Sequence, residues 1–379
     1  MESIEENKMI RLSKSCLSDA EKKAVIGVLD REFLGMGSEV QQFERTLTEF
    51  FGRPAVCVST GTAALHLALQ AAGIGQGDEV LVQSLTYVAS FQAISATGAK
   101  AVACDIDTET FCLDWRDAEK RLTPNTKAVM PVHYSGGVGA LDEIYLFAKK
   151  YGLRVIEDAA HAFGTEYQNV RVGGFGDIAC FSFDGIKNIT SGEGGCIVTD
   201  DQEILKKVRD ARLLGVEKDT EKRYSGERSW DFDVNEKGWR YHMSNIMAAI
   251  GIEQLKHFPV FSDKRRALAA QYDQLLLGTK GVRVINHDYG KVVPHIYVVE
   301  FNENTLRDQA RRRLSEHGIQ TGVHYQPNHW LSQYRVRDLD VRHVDEIYPR
   351  LLTLPLHPDL DEKDVTFVCD ILREYLNEI

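Results

Sequence analysis

The residue best placed to do chemistry is Lys187, carried by the stretch Cys180-Phe181-Ser182-Phe183-Asp184-Gly185-Ile186-Lys187-Asn188-Ile189-Thr190-Ser191-Gly192-Glu193-Gly194-Gly195. An apolar run of strand length, 178–183, feeds a short loop bearing the lysine, and a glycine-rich turn leads to a second apolar run, 196–199. Lys187 is therefore expected between two buried strands, among apolar, small and hydroxyl neighbours that leave it little water. A desolvated lysine gives up its proton more readily, and the free amine is a nucleophile able to form a Schiff base. A lysine that only caps a loop carbonyl has the same pattern, so the rest of the chain must decide.

Other stretches carry complementary groups. Ser59-Thr60-Gly61-Thr62 stands directly before the helical run Ala63-Ala64-Leu65-His66-Leu67. A helix N-terminus offers unpaired N–H groups and a positive dipole end to a phosphate, and Gly61 permits close approach; the same residues are also ordinary N-caps. Ser84-Leu85-Thr86-Tyr87 puts an aromatic ring at the start of another helix, as core packing or as a stacking face for a flat ligand. In Glu157-Asp158-Ala159-Ala160-His161, Asp158 ends a buried apolar run, where an unpaired carboxylate is costly. It needs a cationic partner such as a protonated heteroaromatic nitrogen, or it caps a helix. Gly35-Met36-Gly37 reads as a turn or as backbone approaching a ligand. His324-Tyr325-Gln326-Pro327-Asn328-His329-Trp330 reads as a surface loop or as the lining of a sugar site.

The elements that must position these groups follow from periodicity. Short apolar strands at 55–58, 79–82, 101–104, 128–132, 154–156, 178–183 and 196–199 alternate with helices at 63–72, 87–97, 115–121 and 141–151. This predicts an α/β fold with a largely parallel sheet covered by helices on both faces. Ligands gather at the carboxyl ends of such strands, which is where the polar residues above fall. Two helices precede the sheet, one over 24–34 and one containing Phe43, Leu47 and Phe51. A charged helix over 202–214 follows it, then a polar excursion over 217–237 that is either a mobile loop or an arm onto a partner subunit. Ser244 is placed to cap a helix over 246–255, and a long helix is expected from beyond Phe261 to about Leu277. Separated strands such as 295–301, with helices at 306–316 and 364–376, suggest a smaller α+β domain. The expected division is a large domain over 1–255 and a small one over 256–379.

Composition excludes several classes. The 379 residues exceed one ordinary core, and 43% hydrophobic with 27% charged residues is the make-up of a globular protein. A net charge of −11 disfavours nucleic acid or an anionic membrane as the main partner. No apolar run approaches membrane-spanning length, and Met1-Glu2-Ser3-Ile4-Glu5-Glu6 lacks the pattern of a secretory signal. The seven cysteines are scattered without a CxxC pair, which predicts reduced packing residues, a cytoplasmic location and no metal site. Gly73, Gly75 and Gly77 follow a helix where a dinucleotide fingerprint would open one, which argues against a nicotinamide enzyme; no GxxxxGK[ST], HExxH or GxSxG is present.

A phosphate cradle, an aromatic ring, a strand-end aspartate and a sheltered lysine at one sheet edge match the needs of pyridoxal 5'-phosphate. Ser59-Thr60-Gly61-Thr62-Ala63-Ala64-Leu65, Glu157-Asp158-Ala159-Ala160-His161, Phe181-Ser182-Phe183 with Lys187-Asn188, Gly192-Glu193-Gly194-Gly195, and Met243-Ser244-Asn245 with Ala248-Ala249-Ile250-Gly251 closely resemble the DegT/DnrJ/EryC1/StrS family of sugar aminotransferases. The resemblance runs from Phe33 to the C-terminal helix.

It implies an aspartate-aminotransferase-like fold (pyridoxal-phosphate fold type I) and a homodimer with active sites at the subunit interface. It also implies amino transfer from L-glutamate to a keto group of a nucleotide-linked deoxysugar, in the making of lipopolysaccharide, another bacterial surface polysaccharide or a glycosylated natural product. Pyridoxamine 5'-phosphate is the intermediate form of the cofactor. Carried over, Lys187 holds the cofactor as a Schiff base and moves the proton, Asp158 holds the ring nitrogen, Tyr87 stacks on the ring, and His161 lies near its opposite face or its phenolic oxygen. Thr60, Gly61, Thr62, Ser182 and Asn188 complete the cofactor set. Arg240 is assigned to the neighbour's cofactor phosphate, although Gly238-Trp239-Arg240-Tyr241-His242 departs from the family's Gly-x-Asn-Tyr-Arg. The expected substrate residues are Gly35, Met36, His324, Tyr325 and His329. Members that dehydrate the sugar at C-3 have histidine in place of the lysine, which Lys187 argues against. His161 and the segment 323–329 favour amination at C-4 over C-3, and a non-catalytic regulatory protein on the same fold is the reading from another class.

Overall fold

Seven short apolar runs form one sheet: β1 (Ala55–Val58), β2 (Glu79–Gln83), β3 (Lys100–Cys104), β4 (Thr126–Met130), β5 (Arg154–Asp158), β6 (Ile178–Ser182) and β7 (Gly195–Val198). They lie in the order β1-β7-β6-β5-β4-β2-β3. The computed structural model describes residues 9–228, 230–336 and 339–378. Residues of β1, β2 and β7 are buried on both faces, as expected for strands sandwiched between helices. Strands β2 to β6 pair in parallel, whereas β7 runs antiparallel to both of its neighbours, β1 and β6. The start of β7 consequently lies at the same sheet edge as the carboxyl ends of the other strands, bringing the 183–194 loop to that edge.

The helices α1 (Asp19–Asp30), α2 (Ser38–Phe51), α3 (Gly61–Ala71), α4 (Val88–Ala96), α5 (Trp115–Lys120), α6 (Leu141–Tyr151), α7 (Gln202–Ala211) and α8 (Asp219–Tyr224) belong to this half. Helix α1 starts earlier than the apolar spacing predicts, because Ser18 and Glu21 form a reciprocal capping box. Helix α8 gives part of the 217–237 excursion a regular structure. A second sheet, β8 (Val282–Val284), β9 (Tyr297–Phe301) and β10 (Leu351–Leu354), is antiparallel and packs with α10 (Leu306–Glu316) and α12 (Glu362–Asn377); α11 (Arg342–Ile347) precedes β10.

One helix joins the two halves. The helices expected over 246–255 and from about 261 are a single helix, α9 (Asn245–Leu276), with Pro259 inside it. Ala248 and Phe258 pack in the large-sheet core, while Leu268, Tyr272 and Leu276 pack with β9 and β10. The expected boundary between 255 and 256 thus falls inside a continuous helix. Proline removes one backbone hydrogen bond and crowds the preceding turn; here apolar packing on both sides of it keeps the helix in one piece.

A buried ionic network ties the large half together. Arg212 is fully buried and donates from Nη1 to Glu44 Oε1 at 2.5 Å and to the Cys57 carbonyl at 2.6 Å, and from Nη2 to the Tyr224 hydroxyl at 3.0 Å. The Tyr224 hydroxyl donates to Glu44, so α2, β1, α7 and α8 meet at one carboxylate. Removing one partner of a buried pair leaves the other charge uncompensated, at a cost of about 3–5 kcal/mol. Glu44→Ala should therefore lower the free energy of urea unfolding by about 3 kcal/mol or more. A loss below about 1 kcal/mol would place the network outside the determinants of stability.

Candidate active site

The carboxyl edge of the large sheet holds a cavity of about 470 Å³ into which the loops after β1, β2, β5 and β6 converge. Helix α3 starts there. Thr60 uses its hydroxyl to cap the helix, accepting from the Ala63 N–H at 3.0 Å, which leaves the cavity-lining Gly61 and Thr62 with backbone N–H groups in the first turn. Two glycines allow this turn to sit tightly on the strands. A Cβ at Gly61 would come within 2.7 Å of the Ser182 Cβ, and one at Gly195 within 2.6 Å of the Thr60 carbonyl oxygen.

Asp158, at the end of β5, lines the cavity and is buried. Its Oδ2 accepts from the Ser90 hydroxyl at 2.7 Å, and Oδ1 from the Ala160 N–H at 3.2 Å. Thr86 Oγ1 lies 3.0 Å from Ser90 Oγ, so a short hydroxyl chain from α4 fixes one carboxylate oxygen. Tyr87, directly before α4, is 58% exposed at the cavity mouth, its ring 5.5 Å from that of Tyr325.

Lys187 is half-buried on the 183–194 loop, with Nζ 3.4 Å from His295 Nε2. Burial pulls its pKa down to about 8, against the opposing pull of the Asp158 and Asp184 carboxylates. His161 is buried, its Nε2 2.9 Å from the Tyr325 hydroxyl and its ring 4.5 Å from that of His295. Burial first, and then the nearby Lys187, hold its pKa well below the ordinary histidine value, so the ring stays neutral. The small half supplies His324 and Tyr325: His324 Nδ1 is 2.8 Å from Thr353 Oγ1, and its carbonyl accepts from the Tyr134 hydroxyl. Glu193 and Asp184 also line the cavity, and burial and the Asp184 charge raise the Glu193 pKa.

Thr60, Gly61, Thr62, Tyr87, Asp158, His161, Ser182, Lys187, His324 and Tyr325 are therefore brought together. Other expected residues are engaged elsewhere. The Asn188 side chain donates to the carbonyls of Phe163 at 3.1 Å and Val293 at 3.3 Å, holding the base of the lysine loop and not lining the cavity. Met36 is buried in the apolar core with Val40 and Phe43, and the carbonyl of Gly35 accepts from Asn245 N. His329 is tied to Ser84 Oγ at 2.7 Å and to Asp345 Oδ1 at 3.0 Å and does not line the cavity. Arg240 is exposed and does not reach the cavity of its own chain. The residues the sequence reading missed are Ser90 and His295. Ser90 stands one turn beyond Tyr87 on the same helix face, a legible signal; His295 lies 108 positions from Lys187, with no local pattern to link them.

The chain matches the model of the DegT/DnrJ/EryC1/StrS aminotransferase family over residues 15–373. It is 36% identical over 378 residues, 97% of each chain, to the spore coat polysaccharide biosynthesis protein SpsC of Bacillus subtilis (strain 168). A putative sugar aminotransferase from Streptococcus pneumoniae, solved in its pyridoxamine phosphate form, superposes with a TM-score of 0.91 at 27% identity, covering 98% of each chain; the same protein has also been solved in its pyridoxal phosphate form. DesI, solved in the presence of its TDP-sugar product, superposes with a TM-score of 0.87 at 30% identity, covering 97% of this chain and 93% of the other.

The lowered pKa makes a prediction that needs no ligand. In cofactor-free protein, the rate at which a small acylating reagent labels Lys187 should rise with a midpoint at about 8, well below that of the exposed lysines. Mass spectrometry of the Lys187 peptide across pH measures this; a midpoint shared with surface lysines would contradict the burial effect.

Proposed function

This chain belongs to the DegT/DnrJ/EryC1/StrS aminotransferase family, and we propose that it moves the amino group of L-glutamate onto the C-4 keto group of a nucleotide-linked deoxysugar. It is a pyridoxal 5'-phosphate-dependent sugar aminotransferase with the aspartate-aminotransferase-type fold. The observation that carries the proposal is the meeting of a buried carboxylate, an amine of lowered pKa and the open N-terminus of α3 in one cavity. That donor set fits the cofactor, and Gly61 leaves room where any side chain would strike Ser182.

Bound there, pyridoxal phosphate supplies an aldehyde that accepts amines and a ring that takes up the electron pair freed at carbon. The N–H groups of Gly61 and Thr62, with the Ser182 hydroxyl, would hold the phosphate at the positive end of α3. Asp158, kept in place by Ser90, would hold a proton on the ring nitrogen. Neutral His161 and the Tyr87 ring would confine the flat ring without adding charge. Lys187 would carry the cofactor, be displaced by the incoming amine, and then shuttle the proton through its Nζ between the donor's alpha carbon and the cofactor. Its lowered pKa keeps a substantial neutral fraction near pH 8, as a base requires.

A nucleotide-linked sugar is favoured because DesI was solved with a TDP-sugar product, and a role in surface polysaccharide because of the name of the Bacillus relative. A cytoplasmic homodimer is proposed in which Arg240, exposed in the single chain, reaches the partner's cofactor phosphate. Trp230, Phe232 and Val234, exposed on the 217–237 excursion that precedes it, suit burial against a second copy. Among the described residues no helix is long and apolar enough to cross a membrane.

The visible spectrum of the loaded protein should change on adding L-glutamate and recover with a nucleotide-linked 4-keto sugar. A spectrum indifferent to L-glutamate would remove the proposed donor, and recovery only with 3-keto sugars would move the reaction to C-3. Lys187→Ala should fold normally yet lose turnover by on the order of 10³-fold or more. Borohydride reduction of the loaded wild type should leave the cofactor on Lys187; finding it on another residue would overturn the assignment.

A further inference from the structure

We infer that His295 is a positioning residue that donates a hydrogen bond from Nε2 to the Lys187 amine and so favours its neutral form. The inference rests on Lys187 as the reacting amine proposed above. His295 comes from the small half, immediately before β9, and its Nε2 is 3.4 Å from Lys187 Nζ. Its backbone is fixed on both sides: the N–H donates to the Ser135 carbonyl at 3.2 Å, and its carbonyl accepts from Arg265 Nη1 at 3.1 Å. The ring is buried and packs against that of His161 at 4.5 Å. Backbone anchors and a packed ring leave the imidazole little freedom, so the contact with Lys187 is built into the fold.

The tautomer follows from which groups are satisfied. Burial first, and then the neighbouring Lys187, keep His295 neutral, with a single N–H to place. Its Nδ1 is buried with no partner among the described residues. A proton on Nδ1 would leave a buried donor unpaired, which folded proteins rarely tolerate, whereas a bare buried acceptor is less costly. The proton therefore belongs on Nε2, facing Lys187. An ammonium has no lone pair to accept it, but a neutral amine does. The hydrogen bond thus exists only with the neutral amine and lowers its affinity for a proton.

Other groups act on the same amine. Asp158 from β5 and Asp184 from the lysine loop favour its charged form, and Arg265 from α9 opposes it. His161 and His324, both held neutral, add no charge near neutral pH. Against the two carboxylates, the Nε2 donor is the part of this balance that a point substitution can remove without altering any charge.

The test uses full-length cofactor-free protein and follows acylation of Lys187 across pH by peptide mass spectrometry, in wild type, His295→Phe and His295→Gln. Phenylalanine keeps the buried ring and removes the donor; glutamine restores an N–H of similar reach. The midpoint for Lys187 should rise by about one pH unit in His295→Phe, a tenfold change in the amine's protonation equilibrium, and return at least partly in His295→Gln. Surface lysines should keep their midpoints in all three proteins. An unchanged or lowered Lys187 midpoint in His295→Phe overturns the inference, as does a glutamine variant indistinguishable from phenylalanine. Should His295→Phe fail to fold, His295→Met makes the same comparison with glutamine. Failure of the functional proposal is read separately, from the residue that retains the cofactor after borohydride reduction of the loaded wild type.

Discussion

An amine that is to act as nucleophile and base near neutral pH has to be taken out of water, and the removal of water from Lys187 is the constraint on which the structure turns. The lysine loop is held at both ends by buried strands, β6 before it and β7 after it, and Asn188 pins its base to two carbonyls. The large half walls the amine with His161 and the small half with His295, while His324 and Tyr325 line the same cavity. Desolvation favours the neutral amine. Asp158 and Asp184 pull in the other direction, leaving a pKa of about 8, at which the amine takes and returns a proton with little driving force either way.

Much of the large half was legible because buried parallel strands are continuous apolar runs whose ends coincide with changes in residue type. The strand predicted at 55–58 and the helix at 141–151 match β1 and α6 to the residue. The direction of β7 was not read, since a four-residue apolar run looks the same either way. A signal was nevertheless present: a parallel connection in a sheet needs a crossover, usually a helix, and the 183–194 segment has no helical pattern. The merging of two expected helices into α9 has another origin. Pro259 is a local breaker, and only packing against cores at both ends of the helix, invisible in one sequence, outweighs it.

The site was legible where its residues sit just beyond strand ends, as with Gly61, Thr62, Asp158 and Ser182, because topology alone gathers those positions. Residue type alone does not show where a polar or sulfur side chain has a structural partner outside the cavity. His329 has a full complement of partners in Ser84 and Asp345, and Met36 fills the core beside Phe43. His295 was hidden for the opposite reason. It lies two residues before β9 of the small half and acquires meaning only when that segment docks beside the lysine loop.

Arg265 links these observations. It is fully buried, has no carboxylate partner among the described residues, and donates from Nη1 to the carbonyls of His295 and Leu356 at 3.1 and 3.2 Å. Burial lowers its pKa, yet only to about 10, so the charge persists at neutral pH. Hydrogen bonds from a charged donor contribute more than neutral ones, about 1.5–3 kcal/mol each, and here they join α9 to the segments before β9 and after β10. The same charge disfavours protonation of the Lys187 amine. A lysine at this position would be a single point donor and would shed its own proton far more readily when buried, losing the bridge and the field together. Fixing the geometry of the small half and keeping the reactive amine neutral are therefore two effects of one guanidinium that stays charged where an ammonium would not.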